Sequence, residues 1–286
     1  MPELPEVETI RRQLDPLLRD VVVVDAWAFP SAKFQDAPLA LGARLDGVRR
    51  RGKYLLIDLA PTRASDDPLE LIVHLGMTGR LSVDDVAPVW PAAPDAAAGA
   101  SERPRHLRAW WRLDDGRTLW FDDVRRFGRI AVVERGAHDA LPTLAALGPE
   151  PFDETFTPEL LRSRVNTSRR AVKTQLLSQR VVAGVGNIYA DEALWLAGVH
   201  PASRRLTTAR AAALRDAVRQ VLDHGITHGG TTLRNYRDAE GGTGTHQRHL
   251  ECYGRAGEPC SRCGSELRRS VLDARSTTHC PTCQRR

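Results

Sequence analysis

The sequence lacks any apolar run long enough to cross a lipid bilayer, and it does not begin like a secretory leader. A membrane-spanning helix needs about 20 mainly apolar residues, and a leader needs a basic start followed by an apolar stretch. The first residues, MPELPEVET, are instead acidic and contain proline. We therefore expect a cytoplasmic protein without a membrane partner. Because no feature indicates oligomerisation, we also expect a monomer.

Cysteine is missing from the first 250 residues, and all five cysteines follow that point. This distribution does not suggest the disulfide framework of a secreted protein. Four thiolates complete the tetrahedral coordination of Zn²⁺ and leave no position for a water nucleophile. We therefore predict one structural zinc ion that organises a short β-hairpin, with free thiols as the alternative, and we expect Cys252 to be a packed side chain. The predicted zinc ligands form the spacing C-x2-C-x16-C-x2-C and are Cys260, Cys263, Cys280 and Cys283.

Composition is that of an ordinary globular protein, with 42% hydrophobic and 27% charged residues in a chain of 286. That length is sufficient for two domains and a substantial core. The formal net charge is +5, and the segment from His246 to Arg286 contains eight arginines against four acidic residues. A local charge of this sign favours a polyanionic partner, most often a nucleic acid.

The hydrophobic pattern divides the chain into three parts. An amphipathic helix is predicted near the N-terminus, and from Val21 to about Glu134 short alternating runs indicate a β-rich domain, either a sandwich or a barrel. The segment from residue 147 to 160 has the composition of a linker. Helices are predicted over 169–179, 188–198 and 207–225, and the zinc segment follows. We place the domain limits at 1–146, 147–245 and 246–286.

The segment VVAGVGN, between two predicted helices, suggests a site for a phosphate. Gly184 and Gly186 allow close approach of the backbone, and the Asn187 amide can donate to a phosphate oxygen at a helix N-terminus. Lys173, on the preceding helix, could add positive charge. The alternative is a glycine-rich turn with asparagine as a helix cap, which would need no ligand.

The first residues of the chain could supply a catalytic amine. Removal of Met1 would leave Pro2 with an α-amino group, whose pKa is roughly 7.7–8.0 against roughly 10.4 for lysine. When a secondary amine attacks the anomeric carbon of a sugar, it forms an iminium with no N–H to lose, which remains an electron sink. Glu3 is a neighbouring carboxyl that can shuttle protons. Taken alone, however, Pro followed by Glu is typical of a first helical turn.

Six motifs occur together and in order, and their combination is far more specific than any one of them. They are PELPEVET at the start, RRRGKYLL around Lys53, HLGMTGRL around Met77, DDVRRFG around Arg125, GVGNIYADEAL around Asn187, and the four-cysteine segment. Over nearly its full length the chain resembles the bacterial formamidopyrimidine-DNA glycosylases. The resemblance implies a two-domain α+β fold. This fold has an N-terminal β-sandwich that carries the first helix, followed by a helix-two-turn-helix bundle with a zinc-ribbon hairpin.

The same resemblance implies a bifunctional DNA glycosylase and AP lyase, acting on double-stranded DNA that contains oxidised bases or abasic sites. The implied substrates are oxidised purines, namely 8-oxoguanine and formamidopyrimidines. The implied chemistry is attack on the deoxyribose, an iminium intermediate and β,δ-elimination. Pro2 would be the nucleophile and Glu3 the proton donor, while Lys53 would contact a phosphate near the lesion. Arg275 completes the catalytic set.

The resemblance also implies a set of DNA contacts. Met77, Arg125 and Phe127 would fill the gap left by the everted nucleotide, because an unbranched Met and a planar Phe are suitable wedges and an Arg offers donors to the orphaned base. Asn187 and Arg275 would grip phosphates. Lys173 is also expected to contact DNA, because of its place on the helix before the glycine-rich turn and not because of the resemblance. Taken alone, Met and Phe are more often core residues, and Arg is more often surface charge.

The chain departs from the family pattern in a few places. The Ala-, Pro- and Asp-rich segment 84–104 is predicted to be a long surface loop, and Thr278 stands where a bulkier finger residue is expected. The glycine-rich segment 229–245 is expected to cover the everted base and to order with DNA. Two alternatives remain: an endonuclease VIII-type enzyme for oxidised pyrimidines, and an inactive damaged-DNA-binding module.

Overall fold

The computed structural model describes residues 2–61, 67–84, 106–233 and 236–286 of the chain. Residues 85–105, which make up nearly all of the predicted surface loop, lie outside the described part. The described residues form two compact units. The first contains Pro2, Glu6–Ala140 and Thr232–Gly244, and the second contains Glu3–Pro5, Leu141–Thr231 and Thr245–Arg286.

The predicted N-terminal helix is confirmed as α1, Leu4–Leu18. Pro5 lies in its first turn, where a backbone N–H would have no partner within the helix. Apolar side chains recur every three or four positions and therefore share one face. That face packs into the core of the first unit and consists of Val7, Ile10, Leu14 and Leu18.

The first unit contains two four-stranded antiparallel sheets. In one sheet the order is β1-β6-β7-β5, with β1 at Val23–Ala28, β5 at Gly79–Asp84, β6 at Leu107–Leu113 and β7 at Thr118–Asp123. In the other the order is β2-β3-β4-β8, with β2 at Leu45–Arg51, β3 at Tyr54–Leu59, β4 at Leu69–His74 and β8 at Arg129–Glu134.

The core of the first unit is formed by side chains from both sheets and from α1. Trp111 is its largest fully buried side chain. The indole Nε1 of Trp111 donates to the Ala37 carbonyl oxygen at 2.8 Å, which provides the partner that a buried indole needs. Ala37 belongs to a short 3-10 helix, Ala37–Ala40. The sandwich predicted by family resemblance is confirmed.

The second unit is helical and ends in a β-hairpin. Its helix α5 is buried over eight of its ten residues, because it is apolar on nearly every side and forms the centre of this unit's core. The helices are α2 at Pro142–Ala145, α3 at Pro158–Asn166, α4 at Val172–Leu177, α5 at Asn187–Leu196 and α6 at Thr208–Thr227.

One helix was not predicted, and another is shorter than predicted. Helix α3 begins inside the segment interpreted as a linker, where the Thr157 hydroxyl caps it by accepting from Leu160 N at 3.2 Å. Helix α4 is shorter than the predicted 169–179, because Ala171 has a non-helical ψ and Gln179 has a positive φ of 64°.

The hairpin at the C-terminus pairs β9, Arg268–Leu272, with β10, Arg275–His279. Asp273 and Ala274 form the two-residue turn, and both have positive φ, at 46° and 61°. This is the backbone of a tight hairpin turn whose twist matches that of the flanking strands. It places Arg275 at the first position after the turn.

The α+β fold class is confirmed, whereas the three predicted domain limits remain predictions. Among the described residues, no helix combines the length and the apolar composition that a bilayer crossing would require.

Candidate functional site

The carboxylate of Glu3 is held by backbone N–H groups at the start of α5. Its oxygens accept from Gly186 N at 2.7 Å, Ile188 N at 2.9 Å and Tyr189 N at 3.4 Å. These groups lie at the N-terminal end of a helix, where unpaired donors and the helix dipole favour an anion. Glu3 is only 3% exposed. The Glu3 side chain is therefore fixed in position where a proton donor is predicted.

Glycine is required where Glu3 meets α5. A Cβ built on Gly186 would lie 2.2 Å from the Glu3 carboxyl carbon, far inside any real contact. The approach of the carboxylate to the helix therefore explains this glycine, which the sequence interpretation assigned to phosphate binding.

Pro2 and Lys53 are the two predicted catalytic residues of the first unit. Pro2 is buried and directly precedes Glu3 in the chain. Lys53 follows Gly52 in the tight turn between β2 and β3 and is 7% exposed. Their catalytic roles remain predictions.

Asn187 and Arg275 are brought together by the hairpin. The Asn187 amide Nδ2 donates to the Ser276 carbonyl oxygen at 3.1 Å, and Ser276 is the residue after Arg275. The Arg275 side chain is exposed. Since Asn187 lies between residues that bind Glu3, the second unit gathers Glu3, Asn187 and Arg275 into one region.

The structure gives Lys173 a different place from that of the predicted DNA contact. Its side chain is fully buried, with Nζ 2.7 Å from the Asp191 carboxylate. Nζ also donates to Ser276 O and Thr277 Oγ1, each at 2.9 Å. The ammonium thus directs its three N–H groups to protein oxygens and leaves none for a phosphate. Lys173 instead connects α4 with α5 and with the strand that begins at Arg275.

Asp191 and Glu192 are residues that sequence reasoning missed. Burial raises the pKa of Asp191 to about 6, and the Lys173 ammonium opposes that rise. Asp191 also accepts from Thr278 N at 3.0 Å, on β10. The signal that could have found both was an acidic pair in an otherwise apolar helix, since buried carboxylates need specific partners.

Glu192 holds the segment that leads into the zinc hairpin. Its carboxylate accepts from the backbone N–H groups of residues 251, 252 and 253 at 2.7–2.9 Å. Burial raises the pKa of Glu192, and these backbone donors oppose the rise. Together with Asp191 it fixes the hairpin against α5.

Met77, Arg125 and Phe127 lie on two turns of the first unit, one between β4 and β5 and the other between β7 and β8. Met77 is 37% exposed and Phe127 48% exposed. The Arg125 guanidinium lies 4.6 Å from the centre of the Phe127 ring. A Cβ on Gly76 would lie 2.4 Å from the Phe127 carbonyl carbon, so glycine at this point lets the two turns touch. The structure therefore brings the predicted gap-filling set together.

Asp123 fixes these turns, and sequence reasoning did not identify it. Fully buried, it accepts from Gly128 N at 2.7 Å and from Thr78 Oγ1 at 2.5 Å. It also accepts from Arg125 N at 3.2 Å, an aspartate-turn bond of the kind that presets a loop. Its position just before the RRFG segment was the available signal.

His74 lies in the HLGMTGRL motif, and its contacts are structural. Its Nδ1 accepts from Gly76 N at 3.2 Å, and its ring packs on Tyr54 with 4.7 Å between centroids. Burial lowers the pKa of His74 to about 4, and the nearby charge of Lys53 lowers it further. The imidazole is neutral at pH 7 and supports the turn that carries Met77.

The four predicted zinc ligands form one cluster, with their sulfurs within 4.8 Å of one another. Four Zn–S bonds of about 2.3 Å imply sulfur–sulfur distances of about 3.8 Å, so the cluster has the size that the ion needs. The Trp195 indole N–H points to Cys260 Sγ at 3.4 Å, a contact that suits a thiolate. Cys252 lies outside the cluster and is fully buried, as expected.

Comparisons with known families match three parts of the chain. Residues 1–130 match the formamidopyrimidine-DNA glycosylase N-terminal domain, and residues 147–237 match the formamidopyrimidine-DNA glycosylase H2TH domain. Residues 257–286 match the zinc finger found in FPG and IleRS. The matched segments follow one another in the order predicted from the six motifs.

Full-length relatives show the same similarity. The chain is 43% identical to the formamidopyrimidine-DNA glycosylase of Deinococcus radiodurans, covering 99% of this chain and 97% of the relative. It is 45% identical to that of Herpetosiphon aurantiacus, covering 99% and 100%.

Among solved structures, the MutM (Fpg) protein of Thermus thermophilus has a TM-score of 0.84 and 41% identity, covering 99% and 98% of the two chains. A Lactococcus lactis FPG mutant in complex with DNA containing Fapy-dG has a TM-score of 0.83 and 34% identity, with full coverage of both chains.

Proposed function

The chain belongs to the formamidopyrimidine-DNA glycosylase family, and on that premise we propose which of its residues carry out the reaction. It is a base-excision-repair DNA glycosylase and AP lyase for oxidised purines. The proposal is that Pro2 is the nucleophile and that Glu3 handles the protons. The observation that carries it is the carboxylate of Glu3, fixed by three backbone donors one peptide bond away from Pro2.

The chemistry follows from the amine. The Pro2 nitrogen attacks the deoxyribose C1′, the bond to the damaged base breaks, and the base leaves with a proton. The C1′–O4′ bond then opens as the ring oxygen takes up a proton, and the nitrogen becomes part of an iminium. The iminium has no N–H to lose and withdraws electrons from the sugar through both elimination steps. We assign to Glu3 the role of donating the proton that the sugar ring oxygen receives.

Two groups of residues contact the DNA in this proposal. Asn187 and Arg275 bind phosphates that flank the lesion. This assignment is supported by the hydrogen bond from the Asn187 amide to the carbonyl oxygen of Ser276, the residue after Arg275. Met77, Arg125 and Phe127 fill the gap in the stack, supported by the exposure of the two apolar side chains. Extrusion of a nucleotide costs a few kcal/mol, which such wedges offset.

Lys53 and Lys173 take different roles. We keep Lys53 as a phosphate contact close to the lesion, held in a tight turn at the end of β2. Lys173 acts through the residues that it positions, because its ammonium faces Asp191 and Ser276.

Borohydride trapping tests the nucleophile. With DNA containing 8-oxoguanine, the wild-type protein should give a reduced covalent adduct whose attachment maps to Pro2. Pro2→Gly should impair the lyase steps far more than DNA binding, while Arg275→Ala weakens both. Pro16→Ala, an exposed proline of α1, serves as the matched control and should keep the adduct.

Two results would overturn the assignment. Absence of the adduct, with Pro2 verified as the mature N-terminus, would favour an inactive binding module. Full activity of a protein that retains Met1 would exclude the amine altogether.

Substrate preference separates this protein from an endonuclease VIII-type enzyme. We expect faster cleavage of a duplex with 8-oxoguanine than of one with thymine glycol, compared side by side at equal enzyme concentration. Faster cleavage of the thymine glycol duplex would instead indicate an enzyme for oxidised pyrimidines.

The zinc ion is structural in this proposal. Four cysteines hold it and leave no coordination position for a reacting water, so its contribution is to fold the hairpin that carries Arg275. Chelation should unfold the hairpin and abolish DNA affinity. Full affinity of the metal-free protein would contradict this role.

We further propose that the protein acts as a monomer in the bacterial cytoplasm, where its DNA substrate lies. Light scattering at micromolar protein concentration should give the mass of one chain, and a dimer mass would contradict the monomer.

A further inference from the structure

Three histidines lie together in the second unit, outside the cysteine cluster. His224 is in the last turn of α6, His228 follows its end, and His249 closes a short 3-10 helix, His246–His249. Ring centroids are 4.2 Å apart for His224 and His228, and 4.2 Å apart for His228 and His249. One ring nitrogen from each residue lies within 4.8 Å of the others.

The helix creates half of this arrangement. Residues four apart lie on the same helix face, and His224 and His228 have that spacing. His249 is brought to them because the chain returns to the end of α6. Thr245 N donates to His228 O at 2.9 Å and His246 N to Gly230 O at 3.1 Å.

A hydrogen bond prepares one imidazole for a metal. Nδ1 of His228 lies 2.8 Å from the His224 carbonyl oxygen, which can only accept, so Nδ1 carries the proton. The lone pair of a neutral His228 is therefore on Nε2. A ligating histidine normally binds metal through one nitrogen while the other donates to a carbonyl or a carboxylate.

Charged side chains of both signs surround the three histidines. Among the described residues, no carboxylate forms an ion pair with any of the three histidines. His246 lies beside them, 3% exposed, and neither of its ring nitrogens has a hydrogen-bond partner among the described residues. Glu251 and Asp223 line the same groove, as do Arg248 and Arg255. Arg255 pairs with Glu251 at 3.3 Å.

We propose that His224, His228 and His249 form a second metal site, specific for a divalent transition ion that prefers imidazole ligands. Zinc, nickel and copper belong to that class. Three histidines leave at least one coordination position for water, unlike the closed cysteine site. The ion would join the end of α6 to residues 245–249, on either side of the segment 229–244. The site is independent of the catalytic assignment.

Nickel distinguishes the two sites, because zinc retained by the four cysteines is invisible at the nickel absorption edge. Tag-free, zinc-loaded protein is titrated with Ni²⁺ by calorimetry and then measured by X-ray absorption. We expect saturation at one equivalent and a nitrogen and oxygen shell with imidazole scattering. A sulfur shell would mean that nickel had displaced zinc from the cysteines, and it would overturn the proposal.

Matched variants complete the test. Loss of one ligand in His249→Gln or in His224→Gln should weaken nickel binding by about 100-fold or more, the upper end of what loss of an outer-shell partner costs. His106→Gln, which changes a histidine of the first unit, should leave it unchanged. The two ligand positions are exposed, so both variants are expected to fold. Equal binding by all four proteins would exclude the site.

Discussion

Charged side chains are buried around α5, whereas large apolar side chains are exposed on the turns that carry Met77 and Phe127. Both regions depart from the general distribution, in which charge faces water and apolar surface is hidden. Around α5, the carboxylates of Glu3, Asp191 and Glu192 and the ammonium of Lys173 have partners within the second unit. On the turns, Met77 and Phe127 remain 37% and 48% exposed.

The difference shows which departures serve folding and which serve binding. A buried charge is tolerated only when it is paired and hydrogen-bonded, and it then fixes a unique arrangement of its neighbours. An exposed apolar group contributes little to stability, and apolar groups exposed together on neighbouring turns are typical of a binding surface. We therefore expect substitutions at α5 to reduce stability first, and substitutions on the turns to reduce DNA binding first.

The largest effect on stability is expected at Lys173. Lys173→Met leaves the Asp191 carboxylate buried without its counter-charge, which should lower the free energy of unfolding by about 3–5 kcal/mol. Urea titration of the zinc-loaded protein measures it. The double variant Lys173→Met, Asp191→Leu removes both charges and should recover most of the loss. A loss of unfolding free energy below about 1 kcal/mol in the single variant would show that the buried charges around α5 do not serve stability.

The protonation of His74 should contribute to the pH dependence of the free energy of unfolding. Its pKa is about 4 in the folded protein, below the ordinary value of 6.5, so the unfolded chain binds more protons between these limits. Stability is then complete above pH 6.5 and falls as the pH drops towards 4, by at most about 3 kcal/mol from this group. Thermal unfolding of His74→Gln should decline less over that range. An equal decline in both proteins would place the titrating groups elsewhere.

A smaller loss is expected at Glu192. Glu192→Gln keeps the shape of the side chain but weakens three bonds from residues 251–253, at a cost of about 1–3 kcal/mol. The matched control is Glu258→Gln, an exposed partner of Arg255, which should change stability by less than about 1 kcal/mol. The urea midpoints of the two variants measure this difference. Equal midpoints would show that the buried carboxylate is dispensable for stability.

The smallest effect on stability is expected on the turns. Phe127→Ala and Met77→Ala should each change the free energy of unfolding by no more than about 0.5 kcal/mol. Phe121→Ala, in the core of the same unit, should cost about 3–5 kcal/mol. For DNA with an everted nucleotide, each turn variant should bind at least about tenfold more weakly, or about 1.4 kcal/mol. Wild-type affinity would mean that these side chains fill no gap.

Local patterns were sufficient for much of the fold. The first helix, the β-rich first part and the zinc hairpin could be predicted because periodicity, turn residues and ligand spacing act over short distances in the chain. Helix α3 was missed because its start, Thr157 followed by Pro158, lies in a polar segment with the composition of a linker.

Side-chain roles were harder to predict than elements. Lys173 was assigned to DNA because a lysine on a helix beside a glycine-rich turn is usually exposed, and its partner Asp191 lies 18 positions away in the sequence. Asp123 was overlooked because its three bonds depend on how two separate turns meet. Gly186 was assigned to a phosphate, although the side chain of Glu3, 183 positions earlier in the sequence, occupies that space.

The sequence by itself determined the family, the β-rich first part with its N-terminal helix, and the four-cysteine cluster, because each depends on residues close together along the chain or on motifs in register. Tertiary structure alone decided which charges are buried. Lys173 meets Asp191 and Glu3 meets α5 only after folding, when water is removed and each group must find its partner within the protein.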